Sequence, residues 1–515
     1  MTAPTSPIAS PASGLNLADL VQVLSQFEAQ LVGEGAVRVL DVEQDSRKVK
    51  VGDLFVARTG GHVDGQSFVD SAVQSGAVAV MTGQDTANLR RLPVPIIGVA
   101  DPRRAVAFAA EAVQGYPSRQ LPVVGITGTN GKTTTVALVE RGLIAVGAKP
   151  ARLGTTGFSF GDIDDESNLT TPEADEISRL IGRVARSGGS HFIMEVSSHA
   201  LDQGRVDALR FAITAFTNLT QDHLDHHGNM ERYEAAKRRL FVELAPGSAV
   251  INVDNSTGAH FADTARSDRL WRVGRQPECN VSPLDVKLDA QGIRGTINAN
   301  GLIIPFQTGL VGEHNLENLL VAVGILQALD VDVCAAVNGF SGSFGVPGRL
   351  ERCETSDDDI IVLVDYAHTP DALQRVLQAV KRFAGSRVYC VFGCGGDRDP
   401  NKRPKMGFAV GTWADFAIVT NDNPRTERPE AIAAAIEPGL REAGARYSVV
   451  LDRAVAIEQT ILDAKPGDVV LIAGKGHEPY QIIGTTKRPF DDRDQARRAL
   501  AMRRDRARSP ESQGV

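Results

Sequence analysis

The residues best suited to chemistry lie in Val123-Val-Gly-Ile-Thr-Gly-Thr-Asn-Gly-Lys-Thr-Thr-Thr135, an apolar run that breaks into glycines and ends on a lysine and hydroxyls. The run predicts a strand feeding a tight turn, where Gly128 and Gly131 let backbone N–H groups approach phosphate oxygens with no Cβ in the way. Thr134 to Val146 would form a helix whose N-terminal end faces the same anion. Lys132 would bring a point charge to the outer phosphates and Thr133 a hydroxyl ligand for magnesium, so ATP and Mg2+ are the expected ligands. The common phosphate-loop spacing asks for glycine at position 126, where this chain has Ile126. The shorter Gly-Thr-Asn-Gly-Lys-Thr form argues against ordinary GTPases.

Three further segments offer carboxylate and metal chemistry. In Phe192-Ile-Met-Glu-Val-Ser-Ser-His199 a carboxylate emerges from an apolar strand, and a buried Glu195 needs a cation or hydrogen-bond donors to meet it. Asn218-Leu-Thr-Gln-Asp-His-Leu-Asp-His-His-Gly228 crowds three histidines and two aspartates beside a strand end. Taken alone it reads either as a weak zinc pattern or as a solvated loop starting a helix. Lys237, in Tyr233-Glu-Ala-Ala-Lys-Arg-Arg-Leu240, sits on a predicted helix and by its neighbours alone is a solvated lysine.

The elements that must position these groups follow from length and pattern. A chain of 515 residues exceeds one ordinary core and predicts about three domains. With 42% apolar and 23% charged residues the composition is that of a soluble globular protein, and no apolar run is long enough to span a bilayer. A net charge of −8 with dispersed Lys and Arg offers no broad basic surface, so nucleic acid is not an expected partner. Five cysteines, Cys279, Cys334, Cys353, Cys390 and Cys394, without zinc-like pairing fit a reducing cytoplasm.

Residues 1–14 read as a disordered leader and 503–515 as a flexible tail. Residues 15–119 form a first α/β domain, with Leu17, Leu20, Val21, Leu24, Phe27 and Leu31 at helical spacing and short strands at Leu54–Ala57, Val78–Met81 and Pro95–Val99. A turn-rich stretch, Gln114–Gln120, links it to a second domain, 120–345, where strands at Phe192–Val196, Ile213–Phe216 and Ala249–Val253 alternate with helical segments and favour a parallel sheet. In such sheets ligands collect at the carboxyl ends of strands, where Lys132, Glu195 and Asn218 fall. The third domain, 346–502, carries predicted buried strands at Ile360–Val364, Val388–Phe392, Phe416–Thr420 and Val469–Ile472.

In order and spacing, the loop Gly128–Thr134, Met194-Glu-Val-Ser-Ser-His199, Asn218–His223 and Tyr233–Lys237 resemble the Mur ligase family of peptidoglycan synthesis, over nearly the whole folded chain. The resemblance implies an α/β fold in which a central P-loop ATPase domain is flanked by a small UDP-sugar-binding domain and a C-terminal Rossmann-like domain. It implies that Thr133, Glu195 and His223 lie around magnesium. Lys237 would be a lysine carbamylated by CO2, which turns an ammonium into a carboxylate-like ligand and requires an amine well below its reference pKa of about 10.4. Lys132, Glu195, His223 and Lys237 are then the catalytic set. Gly128, Thr129, Asn130, Gly131, Lys132, Thr133 and Thr134 would hold ATP with Asn315 and Asn318. Arg349, Asp365 and His368 would join from the third domain, which closes over the nucleotide. Asn315 is equally natural as a helix cap.

The family's activity is ATP-driven amide formation through an acyl phosphate. Here the resemblance implies UDP-MurNAc-L-Ala-D-Glu and meso-diaminopimelate as substrates. Gln44, Ser46, His62, Val63 and Asp64 would grip the UDP-sugar, while Thr170, Thr171, Ser197, Gln203 and Arg205 would contact the muramoyl-dipeptide. Asp422-Asn423-Pro424-Arg425, with Arg398, Gly474 and Glu478, would choose the amino acid. A guanidinium at Arg425 suits a distal carboxylate that lysine lacks. The rivals are a lysine-adding homologue, a folylpolyglutamate-type ligase and a P-loop ATP switch. A cytoplasmic monomer is expected.

Overall fold

The computed structural model describes residues 14–58, 64–85, 91–167, 169–289, 291–341 and 346–508. It is a mixed α/β structure built on three principal sheets. His62, Val63 and residues 1–13 of the expected leader lie outside the described residues.

The first sheet has five strands, in the order Gln30–Val32, Ile96–Val99, Ala79–Gly83, Asp53–Val56 and Asp41–Glu43. Only the first pairing is antiparallel. The apolar spacing over 17–31 does not make one helix. An α-helix covers Leu17–Val23, a 3-10 turn follows at Ser25–Phe27, and Leu31 sits on the edge strand. Glu28 takes a left-handed conformation at φ 55°, which ends any helix there. The linker packs firmly, because Ser118 N donates to Glu111 Oε1 at 2.9 Å and Ser118 Oγ accepts from Arg210 N at 3.0 Å.

The central sheet has eleven strands. Val123–Thr127 lies in its middle, flanked in parallel by His191–Glu195 and Phe211–Phe216. Val124 and Ile126 pack on one face with Leu138 and Leu143 of the helix Lys132–Ala145. Val123 packs on the other face with Ile177 and Ile181 of the helix Ala174–Arg186. The period of two thus buries both faces of the strand. The sheet is not wholly parallel. Three antiparallel strands, Pro150–Gly154, Gly157–Phe160 and Ile163–Asp165, close one edge, and an antiparallel meander of Val281–Asp289, Gly292–Ala299 and Leu302–Thr308 forms the other.

The third sheet runs Glu351–Arg352, Ile361–Asp365, Val469–Ala473, Val388–Phe392, Phe416–Val419 and Tyr447–Val449, parallel except for its first pair. Consecutive strands Ile361–Asp365 and Val388–Phe392 lie on either side of Val469–Ala473, a strand-order reversal that opens a crevice at the carboxyl ends. The expected tail begins too early: a helix continues through Arg508, and Arg503 pairs with Asp359 at 2.7 Å.

A buried ion pair braces the loops above this crevice. Arg453 and Asp492 are both 0% exposed and 2.7 Å apart. The same guanidinium donates to the carbonyls of Asn421 and Ala473, which precede Asp422 and Gly474. Asp492→Ala leaves that charge buried without its partner, and the expected loss is about 3–5 kcal/mol. Calorimetry should show the transition of the C-terminal domain shifting down while the rest of the unfolding profile holds, and an unmoved transition would contradict the bracing role.

Candidate active site

The phosphate loop is laced to its neighbours by hydrogen bonds. Thr129 N donates to Asn218 O at 2.8 Å and Asn130 N to Asn218 Oδ1 at 2.9 Å. Thr217 Oγ1 donates to Asn130 O at 2.6 Å. Thr129 Oγ1 and Tyr233 OH share a hydrogen bond of 3.0 Å, tying the loop to the helix Met230–Val242 that carries Lys237. Gly131, at φ 86°, caps the helix that starts at Lys132, two residues earlier than expected. A side chain at Gly128 would strike Thr217 Oγ1, and one at Gly131 would strike Asn318 Oδ1. The sequence folds this way because the turn needs both glycines.

Two lysines converge on one carbonyl. Lys132 Nζ donates to Gly128 O at 2.9 Å and Thr129 O at 3.0 Å, and Lys237 Nζ donates to the same Gly128 O at 2.9 Å. Lys237 is 1% exposed, against the solvated reading of its helix. Burial, then the neighbouring Lys132 charge, holds its amine well below the usual lysine range. Burial also lowers Lys132. Among the described residues no carboxylate forms an ion pair with either ammonium. A second cation beside Lys132 is costly, which is part of what favours the neutral amine at Lys237.

Glu195 is buried at the end of its strand and met by donors, as a buried carboxylate must be. Its Oε1 accepts from Thr155 N at 2.9 Å and its Oε2 from Thr155 Oγ1 at 3.1 Å. Thr155 was not legible in the sequence, since it lies in the turn of the edge hairpin. His223 adopts φ 54° and lies 3.3 Å from Asp222 Oδ2, and burial pushes its imidazole below the ordinary value against the pull of Asp222. Thr133, Glu195, His223 and Lys237 supply a hydroxyl, a carboxylate, an imidazole and a buried lysine to one region around the loop. Of these, the Thr133 hydroxyl and the Glu195 carboxylate are hard oxygen donors of the kind magnesium takes, and a carbamate on Lys237 would add another.

The third domain reaches into this corner. Arg349 donates to Thr133 Oγ1 at 3.1 Å, packs 4.7 Å over the Tyr366 ring, and has a buried Nε without a partner. Asp365 is buried, its Oδ2 accepting from Leu350 N and its Oδ1 from Ala367 N, each at 2.7 Å, and burial raises its carboxyl. His368 Nδ1 donates to Tyr366 O at 2.8 Å. Asp371 takes a hydrogen bond from Asn130 Nδ2 at 3.2 Å. Asn315 is not a helix cap: Gly312 precedes the helix Glu313–Ala328, and Asn315 turns back to Val311 O at 2.8 Å. Asn318 Nδ2 donates to Asn315 Oδ1 at 3.1 Å.

A cleft of about 800 Å³ separates the central and third domains. One wall carries Thr170, Thr171, Ser197, His199, Arg205 and His223. Thr171 Oγ1 donates to Glu195 O at 2.8 Å and accepts from Ser197 N at 3.0 Å. Arg205 grips Thr171 O at 2.7 Å and Gln203 Oε1 at 2.7 Å, and pairs with Glu173 at 3.0 Å.

The opposite wall carries His368, Arg398, Asp422, Asn423, Arg425, Gly474 and Glu478. Gly396 N donates to Asn423 O at 2.9 Å, which joins the Gly395–Asp399 loop to Asp422–Arg425. Arg425 holds φ 52°, its NH1 donates to Gly396 O at 2.7 Å, and among the described residues it pairs with no carboxylate. Glu478 Oε2 accepts from Asn423 Nδ2 and from the buried Lys475 Nζ, each at 3.0 Å. Lys475 and His477 were missed in the sequence, although Gly474 and Glu478 on either side of them were read as site residues.

No described residue of the first domain lines the cleft. Gln44 Nε2 donates to Asp175 Oδ1 at 2.5 Å, and its Oε1 is buried without a partner. Arg47, 86% exposed at its side chain, pairs with Asp45, beside the half-buried Ser46. Asp64 caps the turn Gly65–Phe68, accepting from Gln66 N. Arg58 pairs with Glu173 of the central domain at 3.1 Å.

A P-loop α/β core, a lysine pair at the phosphate grip and a cleft shared with a Rossmann-like domain define a nucleotide-driven ligase, and three family models fit it in series. The Mur ligase family catalytic-domain model matches residues 41–122, the Mur ligase middle domain 126–326, and the Mur ligase glutamate ligase domain 348–476. The chain belongs to the Mur ligase family. A relative in Gloeobacter violaceus, named UDP-N-acetylmuramoyl-L-alanyl-D-glutamate--2,6-diaminopimelate ligase, is 46% identical over 91% of this chain and 95% of its own length. A solved structure of a ligase of that name has a TM-score of 0.66 at 31% identity, covering 95% of this chain and 99% of its own. A MurF ligase of Thermotoga maritima in complex with ADP shares the fold with a TM-score of 0.64 at 18% identity, covering 91% of this chain and 98% of its own.

Proposed function

We propose that this chain is an ATP-dependent amide ligase that joins meso-diaminopimelate to the D-glutamate side-chain carboxyl of UDP-MurNAc-L-Ala-D-Glu. The observation that carries this reading is the cleft: Thr170, Thr171, Ser197 and Arg205 on one wall face Arg398, Asn423, Arg425 and Glu478 on the other, and His223, whose imidazole feels the charge of Lys132, lines the same space. Two acceptors meeting beside a nucleotide grip is the arrangement a three-substrate ligase needs. The printed name of the 46% identical relative supports the same pair of substrates.

A carboxylate is a poor electrophile because its oxygen leaves badly. Its attack on the γ-phosphorus of ATP breaks the bond to the bridging oxygen, releases ADP and yields an acyl phosphate. Lys132 and the N–H groups of the loop hold the phosphoryl group and disperse its charge, a task of positioning and electrostatics. Thr133, Glu195, His223 and a carbamylated Lys237 would hold magnesium, which would supply further neutralisation of phosphate charge. Lys237 acquires its carboxylate when the neutral Nζ adds CO2 and loses one proton.

Arg425 holds the distal carboxylate of the amino acid, and Glu478 Oε1 is left for the accompanying amine because Oε2 serves Lys475 and Asn423. The reacting amine, once deprotonated, attacks the acyl carbon and phosphate departs. Gln44, Ser46, His62, Val63 and Asp64 hold the UDP end at the first domain. Arg349 bridges Thr133 and the third domain, so closure completes the nucleotide site. The reading assigns a cytoplasmic monomer.

Purified protein given ATP, Mg2+ and UDP-MurNAc-L-Ala-D-Glu should release phosphate only when an amino acid is added. Mass spectrometry of the product should show the diaminopimelate adduct in large excess over the lysine adduct. Tripeptide from neither amino acid would overturn the reading. A lysine adduct in excess would replace the assigned amino acid.

A further inference from the structure

Among the described residues Asp202, His226 and His227 form the single group of donors placed to share a metal ion. None of them belongs to the magnesium set. Asp202 ends the short helix Ser198–Asp202, and the two histidines end Leu224–His227. Each offers one ligand atom, and these atoms all lie within 4.8 Å of one another. His226 Nε2 already sits 2.9 Å from Asp202 Oδ2.

A four-coordinate zinc with bonds of about 2.0–2.1 Å sets its donors about 3.4 Å apart, so closing the triad takes a shift of about 1 Å. The side chains of His226 and Asp202 are 28% and 52% exposed and have room to make it. His227 is the fixed member. It is buried, and a hydrogen bond of 3.0 Å between its Nε2 and Ser198 Oγ sets the plane of its ring. His199 packs alongside, its ring centroid 4.2 Å from that of His226 and 5.6 Å from that of His227.

Donor chemistry decides the kind of ion. Magnesium and calcium take oxygen ligands, and a site with two imidazoles and one carboxylate suits Zn2+, Co2+ or Ni2+ instead. We propose that Asp202, His226 and His227 bind a transition-metal ion of the zinc class, at a site separate from the magnesium corner. An ion there staples the helix Ser198–Asp202 to Leu224–His227. Both helices adjoin the cleft, whose wall includes Ser197, His199, His223 and Asp225. The inference does not depend on the amino acid the enzyme uses, because its test reads metal and not product.

Cobalt(II) is the probe, added to the full-length protein in excess Mg2+. The expected result is one bound equivalent after equilibrium dialysis, with the intense visible bands of a low-coordinate Co2+–imidazole site, displaced by Zn2+. His226→Ala and Asp202→Asn should each weaken Co2+ binding about tenfold or more, with far-UV circular dichroism and Mg-ATP binding unchanged. His223→Ala should keep the spectrum. No bound Co2+ in the presence of Mg2+ overturns the proposal. So does a spectrum that survives His226→Ala but vanishes in His223→Ala, which would assign the ion to the magnesium corner.

Discussion

Lys237→Ala is expected to lower ligase turnover by about 10²–10³-fold, the range seen when a preorganised electrostatic contact is removed. Lys237 is 1% exposed and its Nζ donates to the carbonyl that Lys132 also uses. Burial and that second ammonium favour the neutral amine, the form that adds CO2. An ordinary surface lysine, with its amine near pKa 10.4, is almost wholly protonated at neutral pH and cannot do this. If the carbamate is what the site uses, acetate or formate entering the space left by the alanine variant should restore part of its turnover and leave the wild type unchanged. Carbon-13 bicarbonate should give a carbamate signal in the wild type that the variant lacks. A fully active wild type with no such signal, or an alanine variant with undiminished turnover, would remove the carbamate from the mechanism.

Lys237 also shows where sequence reading stops. Its helix was legible from periodicity, but at that level a lysine next to Arg238 and Arg239 is a solvated charge. Only the packing of the helix Met230–Val242 beneath the phosphate loop makes it a buried amine, through the Tyr233 hydroxyl on Thr129 and the Nζ on Gly128. The phosphate loop itself was legible because its glycines are imposed locally: Gly131 must take φ 86°, and no other residue tolerates the crowding of Asn318 there. Strands such as Val388–Phe392 were legible for a similar reason, being continuous apolar runs buried on both faces.

What stayed hidden depends on contacts distant in sequence. Thr155 meets Glu195 across 40 residues, and Arg349, placed at the nucleotide by the family resemblance alone, meets Thr133 across 216. Neither contact has a local pattern. The meander Val281–Thr308 escaped because one side of it alternates weakly, with Leu284, Leu302 and Ile303 exposed. The first helix stops at Val23, and the 3-10 turn after it ends on Glu28, in a left-handed conformation that its side chain does not announce.

Arg425→Ala should compress the enzyme's preference for diaminopimelate over lysine by about 10²-fold, about 2.7 kcal/mol, a modest value for one partner of a desolvated charge pair. The backbone around Arg425 is bracketed independently of its side chain: its N donates to Ile482 O at 3.1 Å, and its O accepts from Gly484 N at 2.7 Å. The loop should therefore hold its shape in the variant. What is lost is a guanidinium that spends one donor on Gly396 O and, among the described residues, pairs with no carboxylate. Its other donors suit the distal carboxylate of diaminopimelate, and lysine has none to offer. The variant should therefore raise the KM for diaminopimelate, leave the slow use of lysine almost unchanged and hold the KM for ATP within about twofold. Arg425→Lys should behave nearly as badly, since a point charge cannot reproduce the paired geometry of the fork. If kcat/KM falls equally for both amino acids, Arg425 serves the loop and not the carboxylate, and specificity must be sought at Arg398 or along the Asn423, Lys475 and Glu478 network.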